Sequence, residues 1–387
     1  MERIRRRWLA MGMAALFCLL WMPRVGQAAP LSETARAYLL LEATTRTVLE
    51  EKNADEALHG AGVTKLMSYL LFFEALQQGS VQLQEEVTVS KEAASKKGTS
   101  AFLDAGEQQP LEALLKASIV GSANDATCAL AEKIAGSEAA FVERMNARAD
   151  QLGADAVFAD CTGLSEQSLV SAAAFADIAA ELCRYAAFFE YSACWTYSLV
   201  HASGRETEIT NANTLVRGGL CDGMATGSTS ASGYSMVASA KSGNARFLCV
   251  ILGDREAGTR ASAAKRAISE ATAVYGVKQI ASRDAKYRTV PLEDAEPGCV
   301  ELYPSEDLAI LYRKGEEKSI RTQVEIDEGL APPICLGQIA GRIVVDAGGT
   351  QYSVALEARE AVEQKSLKNA LGRILRIWLE EAAADAG

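Results

Sequence analysis

The stretch from Val63 to Leu76 is apolar around nearly its whole helical circumference, with Lys65 and Glu74 as its only charges. A helix of that kind has no face to give to water, so other elements must enclose it. What flanks it supplies the enclosure. Residues 36–50 read as a β-hairpin. Residues 111–183 are apolar at helical spacing in four runs, Leu111 to Ile119, Ala126 to Ile134, Phe141 to Leu152 and Ala172 to Leu182. Strands are predicted near 234–241 and 246–253, joined by a turn at Ser242-Gly243-Asn244, and Ala261 to Val274 closes the unit as a helix. The expected fold is a mixed α/β domain with one antiparallel sheet and a helical middle.

After about residue 276 the pattern changes to short strand-like runs separated by Gly, Pro and charged turns. They include Val300 to Tyr303, Leu308 to Tyr312 and Tyr352 to Leu356. This predicts a small all-β domain over 276–360. Residues 361–387 are expected to hold a third element. Between 363 and 381, Leu367, Leu371, Ile374 and Trp378 fall on one helical stripe, with Lys365, Lys368, Arg373 and Arg376 elsewhere on the surface. That pattern suits an amphipathic helix on a membrane surface or one packed on the β domain.

Residues 1–28 read as a secretory signal. Four of the first seven residues are arginine, Trp8 to Met22 is an apolar core, and Gly26-Gln27-Ala28 offers small residues for cleavage. The formal charge of the chain is −11. Removing five arginines and Glu2 with the signal gives −11 − 4 = −15. Such an acidic chain argues against nucleic acid as a partner. Eight cysteines follow the signal, none in a CxxC pair, so zinc-site spacing is absent and buried free thiols are expected. His59 and His201 are the only histidines, and neither lies in a catalytic motif. No cofactor or metal is predicted.

Three short motifs carry the chemistry. The first is Gly60-Ala61-Gly62-Val63-Thr64-Lys65, the second Gly121-Ser122-Ala123-Asn124-Asp125, the third Asp222-Gly223-Met224-Ala225-Thr226-Gly227. In this order they resemble the Ser-x-x-Lys, Ser-x-Asn and Lys-Thr-Gly signatures of the serine-type D-alanyl-D-alanine carboxypeptidases, the low-molecular-mass penicillin-binding proteins. The β-rich region around Pro333 to Gly341 and the amphipathic stretch after it resemble that family's accessory domain and terminal helix. The resemblance implies a penicillin-binding transpeptidase-like domain over 29–275. It implies a lysine base at Lys65, a relay hydroxyl at Ser122 and an amide binder at Asn124. Ala225, Thr226 and Gly227 would form the substrate strand.

Two positions depart from the family pattern. Gly62 stands where the nucleophilic serine belongs, and Ala225 where the third-motif lysine belongs. Glycine carries no atom that can be acylated. Thr64 lies about 200° around the helix from position 62, so it is no substitute. The expectation is therefore a pseudoenzyme at the cell envelope, on the outer face of the cytoplasmic membrane or in the wall. It would bind peptidoglycan stem peptides or an envelope protein. The alternatives are an active carboxypeptidase and a purely structural interaction protein. Serine restored at position 62 would stand one turn before Lys65, within hydrogen-bond reach.

Overall fold

The structure, a computed structural model, describes residues 30–365. The signal segment lies outside them, and so does nearly all of the amphipathic stretch. The hairpin pairs β1 (Ala37–Glu42) with β2 (Thr47–Lys52). A 3-10 turn at Ala61–Thr64 leads into the apolar helix α1 (Lys65–Gln77). Then come α2 (Leu111–Gly121), α3 (Asn124–Ala135), α4 (Glu138–Leu152), α5 (Ala172–Leu182) and the short α6 (Ala186–Ser192). A hairpin follows, β3 (Thr196–Val200) with β4 (Glu206–Thr210). The chain returns as β5 (Gly223–Thr229), β6 (Gly233–Ser242) and β7 (Ala245–Asp254), then α7 (Ala257–Val274).

The main sheet is antiparallel throughout, in the order β2-β1-β7-β6-β5. Its centre is buried on both faces, which explains why β7 reads as an unbroken apolar run. Leu248, Val250 and Leu252 point into the core shared with the helical layer, while Phe247, Cys249 and Ile251 pack beneath α7. Side chains alternate across a strand, so one apolar run serves two cores. Helix α1 is enclosed as its composition demands, with Leu66, Met67, Tyr69, Leu70 and Phe72 all within the first core.

The β-rich region starts at β8 (Tyr275–Ala281), directly after α7. It continues as β9 (Arg288–Pro291), β10 (Cys299–Pro304), β11 (Leu308–Arg313), β12 (Arg321–Ile326), β13 (Ile339–Ala347) and β14 (Thr350–Ala358). Five of these form the sheet β9-β10-β14-β13-β12, while β8 pairs with β11. Val277 on β8 joins the apolar cluster under α7, so the first strand of this region packs on the preceding core. Glu363 and Gln364 pair with Ala295 and Glu296 as a two-residue strand, so the stretch expected to be helical from 363 begins extended. No helix among the described residues is long and apolar enough to cross a membrane.

All eight described cysteines are free. Four are buried, as expected, but Cys194 and Cys335 are exposed, because the loops that carry them have no packing layer above them.

Candidate active site

The three motifs meet in one cleft of about 320 Å³, lined by Gly62, Lys65, Ser122, Asn124, Thr226 and Gly227 among others. Lys65 is the first residue of α1, and its side chain is enclosed although it is charged in water. Its Nζ donates to the Thr162 carbonyl at 3.0 Å. Burial pushes its pKa down to about 8, against the opposing pull of Cys161 and Asp160. Asp160 builds the turn that presents this carbonyl. Burial works against its charge, yet hydrogen bonds from Thr162, Leu164, Ser168 and Ser165 hold its carboxyl below the usual range.

The second motif joins α2 to α3. Ser122 ends α2 in the left-handed conformation, φ 57° and ψ 33°. A non-glycine residue there carries strain of about 1–3 kcal/mol that the surroundings must hold. Asn124 opens α3. Its backbone N–H donates to Thr99 O at 2.8 Å and its Nδ2 to Lys97 O at 2.7 Å. Its Oδ1 is buried without a partner among the described residues. The neighbouring Asp125 carboxylate accepts from Ala101 N, Leu103 N and Ser100 Oγ, which fixes the loop that walls the cleft.

The third motif lies on β5, an edge strand paired only with β6. Gly227 is pressed against the first motif: a Cβ there would lie 2.1 Å from the Gly62 backbone nitrogen. A Cβ on Gly62 would in turn meet Thr226 O at 2.7 Å and Gly227 Cα at 3.3 Å. The first motif and β5 thus meet backbone on backbone, and a side chain at position 62 would require one of them to shift. Thr226 lines the cleft. Ala225 does not: its methyl belongs to the apolar core with Met224 and Val237, too short to reach the opening. Thr64 is buried against Gly163 and away from the cleft lining.

Sequence reasoning missed Arg260. It lies on the first turn of α7, just before the segment the periodicity picked out, and it lines the cleft. Its guanidinium donates to Gly227 O at 3.2 Å and Ser235 O at 2.7 Å, while its Nε has no partner among the described residues. Burial lowers its pKa, with Asp254 and Tyr234 opposing. A buried arginine stays charged, so the cleft keeps a cation beside the strand that lost its lysine. Neither histidine lines the cleft. His201 is buried between Glu107 Oε1 at 2.9 Å and Thr207 Oγ1 at 2.8 Å, where it ties the β3–β4 hairpin to the helical layer.

Two family models match the chain. The D-alanyl-D-alanine carboxypeptidase model matches residues 24–256, more than half of the chain, and the model of the C-terminal domain of penicillin-binding protein 5 matches residues 275–364. The chain belongs to the D-alanyl-D-alanine carboxypeptidase family. Within that family it is similar to the D-alanyl-D-alanine carboxypeptidase DacF of Bacillus subtilis. The two are 31% identical over 354 residues, covering 90% of this chain and 91% of the relative. It is also similar to DacC of Escherichia coli, 29% identical over 393 residues, covering 96% of this chain and 94% of the relative. Among solved structures, penicillin-binding protein 5 of Haemophilus influenzae superposes with a TM-score of 0.77 at 27% identity, covering 88% of this chain and all of that one. The mixed fold with its helical subdomain and C-terminal β domain is therefore the family's fold. Family members act on peptidoglycan stem peptides in the periplasm or the wall.

Proposed function

We propose that this chain is a non-catalytic member of the family, exported to the cell envelope, that binds stem peptides without cleaving them. One observation carries the reading. Position 62 offers no nucleophile, and Thr226 O stands 2.7 Å from where a side chain there would begin. Loss of a serine nucleophile alone costs about 10⁶-fold in turnover in a serine protease. Here a side chain at that position would also have to displace the β5 backbone.

The binding half of the cleft supports a ligand. Asn124 Oδ1 is an acceptor and Arg260 Nε a donor, both buried and unpartnered among the described residues. A peptide N–H and a terminal carboxylate are the complementary groups. Lys65 and Ser122 then act as polar cleft walls rather than as base and relay. The stretch from 363 to 381 is the membrane contact in this reading, and residues 1–28 are the export signal.

A reporter penicillin on the purified protein tests the catalytic half. No adduct should appear on the intact chain by mass spectrometry. An adduct on Ser122 would restore the reading as an active carboxypeptidase. Calorimetry with a stem pentapeptide tests the binding half. Saturable binding that Arg260→Gln weakens is expected, and its absence from the wild-type protein would favour a structural interaction protein.

A further inference from the structure

Cys128, Glu138 and Cys161 lie far apart in the chain, and no spacing motif joins them. The fold brings one donor atom of each within 4.8 Å of the other two. Both cysteines are fully buried, and the Glu138 side chain is only 13% exposed. Cys161 Sγ lies 3.2 Å from Glu138 Oε1. The other carboxylate oxygen, Oε2, is held in an ion pair by Lys96.

We propose that this cluster binds a divalent cation of the zinc class, with Cys128 Sγ, Cys161 Sγ and Glu138 Oε1 as ligands. Two thiolates and a carboxylate are a donor set that zinc accepts and that magnesium and calcium do not favour. Zinc–sulfur bonds of about 2.3 Å and zinc–oxygen bonds of about 2.1 Å set tetrahedral donors about 3.5–3.8 Å apart. The observed spacing meets that with small side-chain shifts. Glu132 Oε1, 3.9 Å from Cys128 Sγ, is in reach as a fourth donor, and water can fill the same position.

The geometry carries the proposal, and with water as the fourth ligand the charges balance as well. Without metal, two neutral thiols, one carboxylate and the Lys96 ammonium sum to zero. Binding a divalent cation releases both thiol protons to solvent. Two thiolates, one carboxylate, one ammonium and the cation again sum to zero. Unpaired charge in a buried site is costly, and this cluster avoids it in both states. Lys96 also orients the carboxylate from outside, and Oε1, which accepts from Cys161 N at 3.3 Å and from the Cys161 thiol, would exchange the thiol proton for the cation.

The cluster lies behind the cleft. Cys128 follows Asn124 by one turn on α3. Cys161 precedes Thr162, whose carbonyl holds Lys65, and its own carbonyl accepts from Ser68 Oγ at 2.7 Å. Lys96 precedes Lys97, whose carbonyl holds Asn124. A bound ion would clamp three walls of the cleft together without touching a ligand in it.

The test uses the full chain with Cys194→Ser and Cys335→Ser to remove the exposed thiols. Metal is stripped, then Zn²⁺ is titrated against a chromophoric chelator and Co²⁺ is used as a spectroscopic probe. One equivalent of zinc per chain, a thiolate-to-cobalt charge-transfer band and a higher Tm with zinc than without are expected. Cys128→Ser and Cys161→Ser should each diminish the band, by about half where cobalt still binds, and weaken zinc binding at least about tenfold. No stoichiometric zinc, a cobalt spectrum without the thiolate band, or a thiol count showing a Cys128–Cys161 disulfide would each overturn the proposal. These readings are taken with both ligand cysteines intact, so misfolding of a ligand variant cannot mask the answer.

Discussion

Gly62→Ala isolates the contact between the first motif and β5. Gly62 lies in the 3-10 turn before α1 and is not among the glycines of positive φ. At such a position, alanine for glycine normally stabilises by about 0.4–1 kcal/mol through the unfolded chain. Here the new methyl would lie 2.7 Å from Thr226 O, a strand carbonyl that cannot swing aside as a side chain can. Ordinary contact begins near 3.4 Å, so β5 must retreat by 3.4 − 2.7 = 0.7 Å. Forcing a methyl into a packed interior costs about 1–3 kcal/mol. The balance is a net loss of up to about 2.6 kcal/mol, about 1.3 at mid-range, and a Tm lower by about 3–5 °C at that mid-range for a domain of this size. Thermal unfolding followed by circular dichroism reads it directly. The sign is the test: a Gly62→Ala protein as stable as wild type would show that the strand stands off from the turn. The serine variant carries the same methylene, so its hydroxyl would start from a displaced strand, and reporter-penicillin acylation should stay undetectable.

Lys65 should make stability rise with pH. Its folded pKa of about 8 lies below the unfolded value of 10.5, so between those values the unfolded chain binds more protons and alkalinity favours the fold. The contribution is about 3 kcal/mol at most, and it is read as the difference between wild type and Lys65→Met in the urea midpoint from pH 8 to 10, because burial raises the pKa of Cys161, Cys183, Cys221 and Cys249 and these thiols pull both midpoints down over the same range. Asp125→Ala should cost at least about 3 kcal/mol, because it orphans Ala101 N, Leu103 N and Ser100 Oγ together; denaturant titration measures it. Deleting residues 366–387 should move the protein from the membrane to the soluble fraction, and a truncated chain that still pellets with membranes would remove that stretch as the anchor.

The sequence made some features legible because they depend on local pattern. Helix α1 is apolar all round and could only be internal, and the β6–β7 hairpin announced itself by its turn at Gly243. The motifs at Lys65, Ser122 and Thr226 were readable because each is a run of a few consecutive residues, at an element boundary for the first two and on one strand for the third. The β3–β4 hairpin was not, since only Leu199 and Ile209 of its ten strand residues are buried and no apolar alternation appears. Arg260 escaped for a different reason: its place in the cleft exists only once α7 has folded back across the sheet. The squeeze of β5 on Gly62 and the meeting of Cys128 with Cys161 are likewise products of long-range packing, invisible to any window of neighbouring residues.

The two exposed thiols give the molecule a valence. Cys194 lies between α6 and β3, and Cys335 lies in the loop before β13. In polymer terms, a monomer with one reactive end stops at the dimer, whereas a monomer with two propagates. Under oxidising conditions the described part of this chain is therefore bifunctional and can link head to tail into open strings, and replacing either cysteine turns it into a chain terminator.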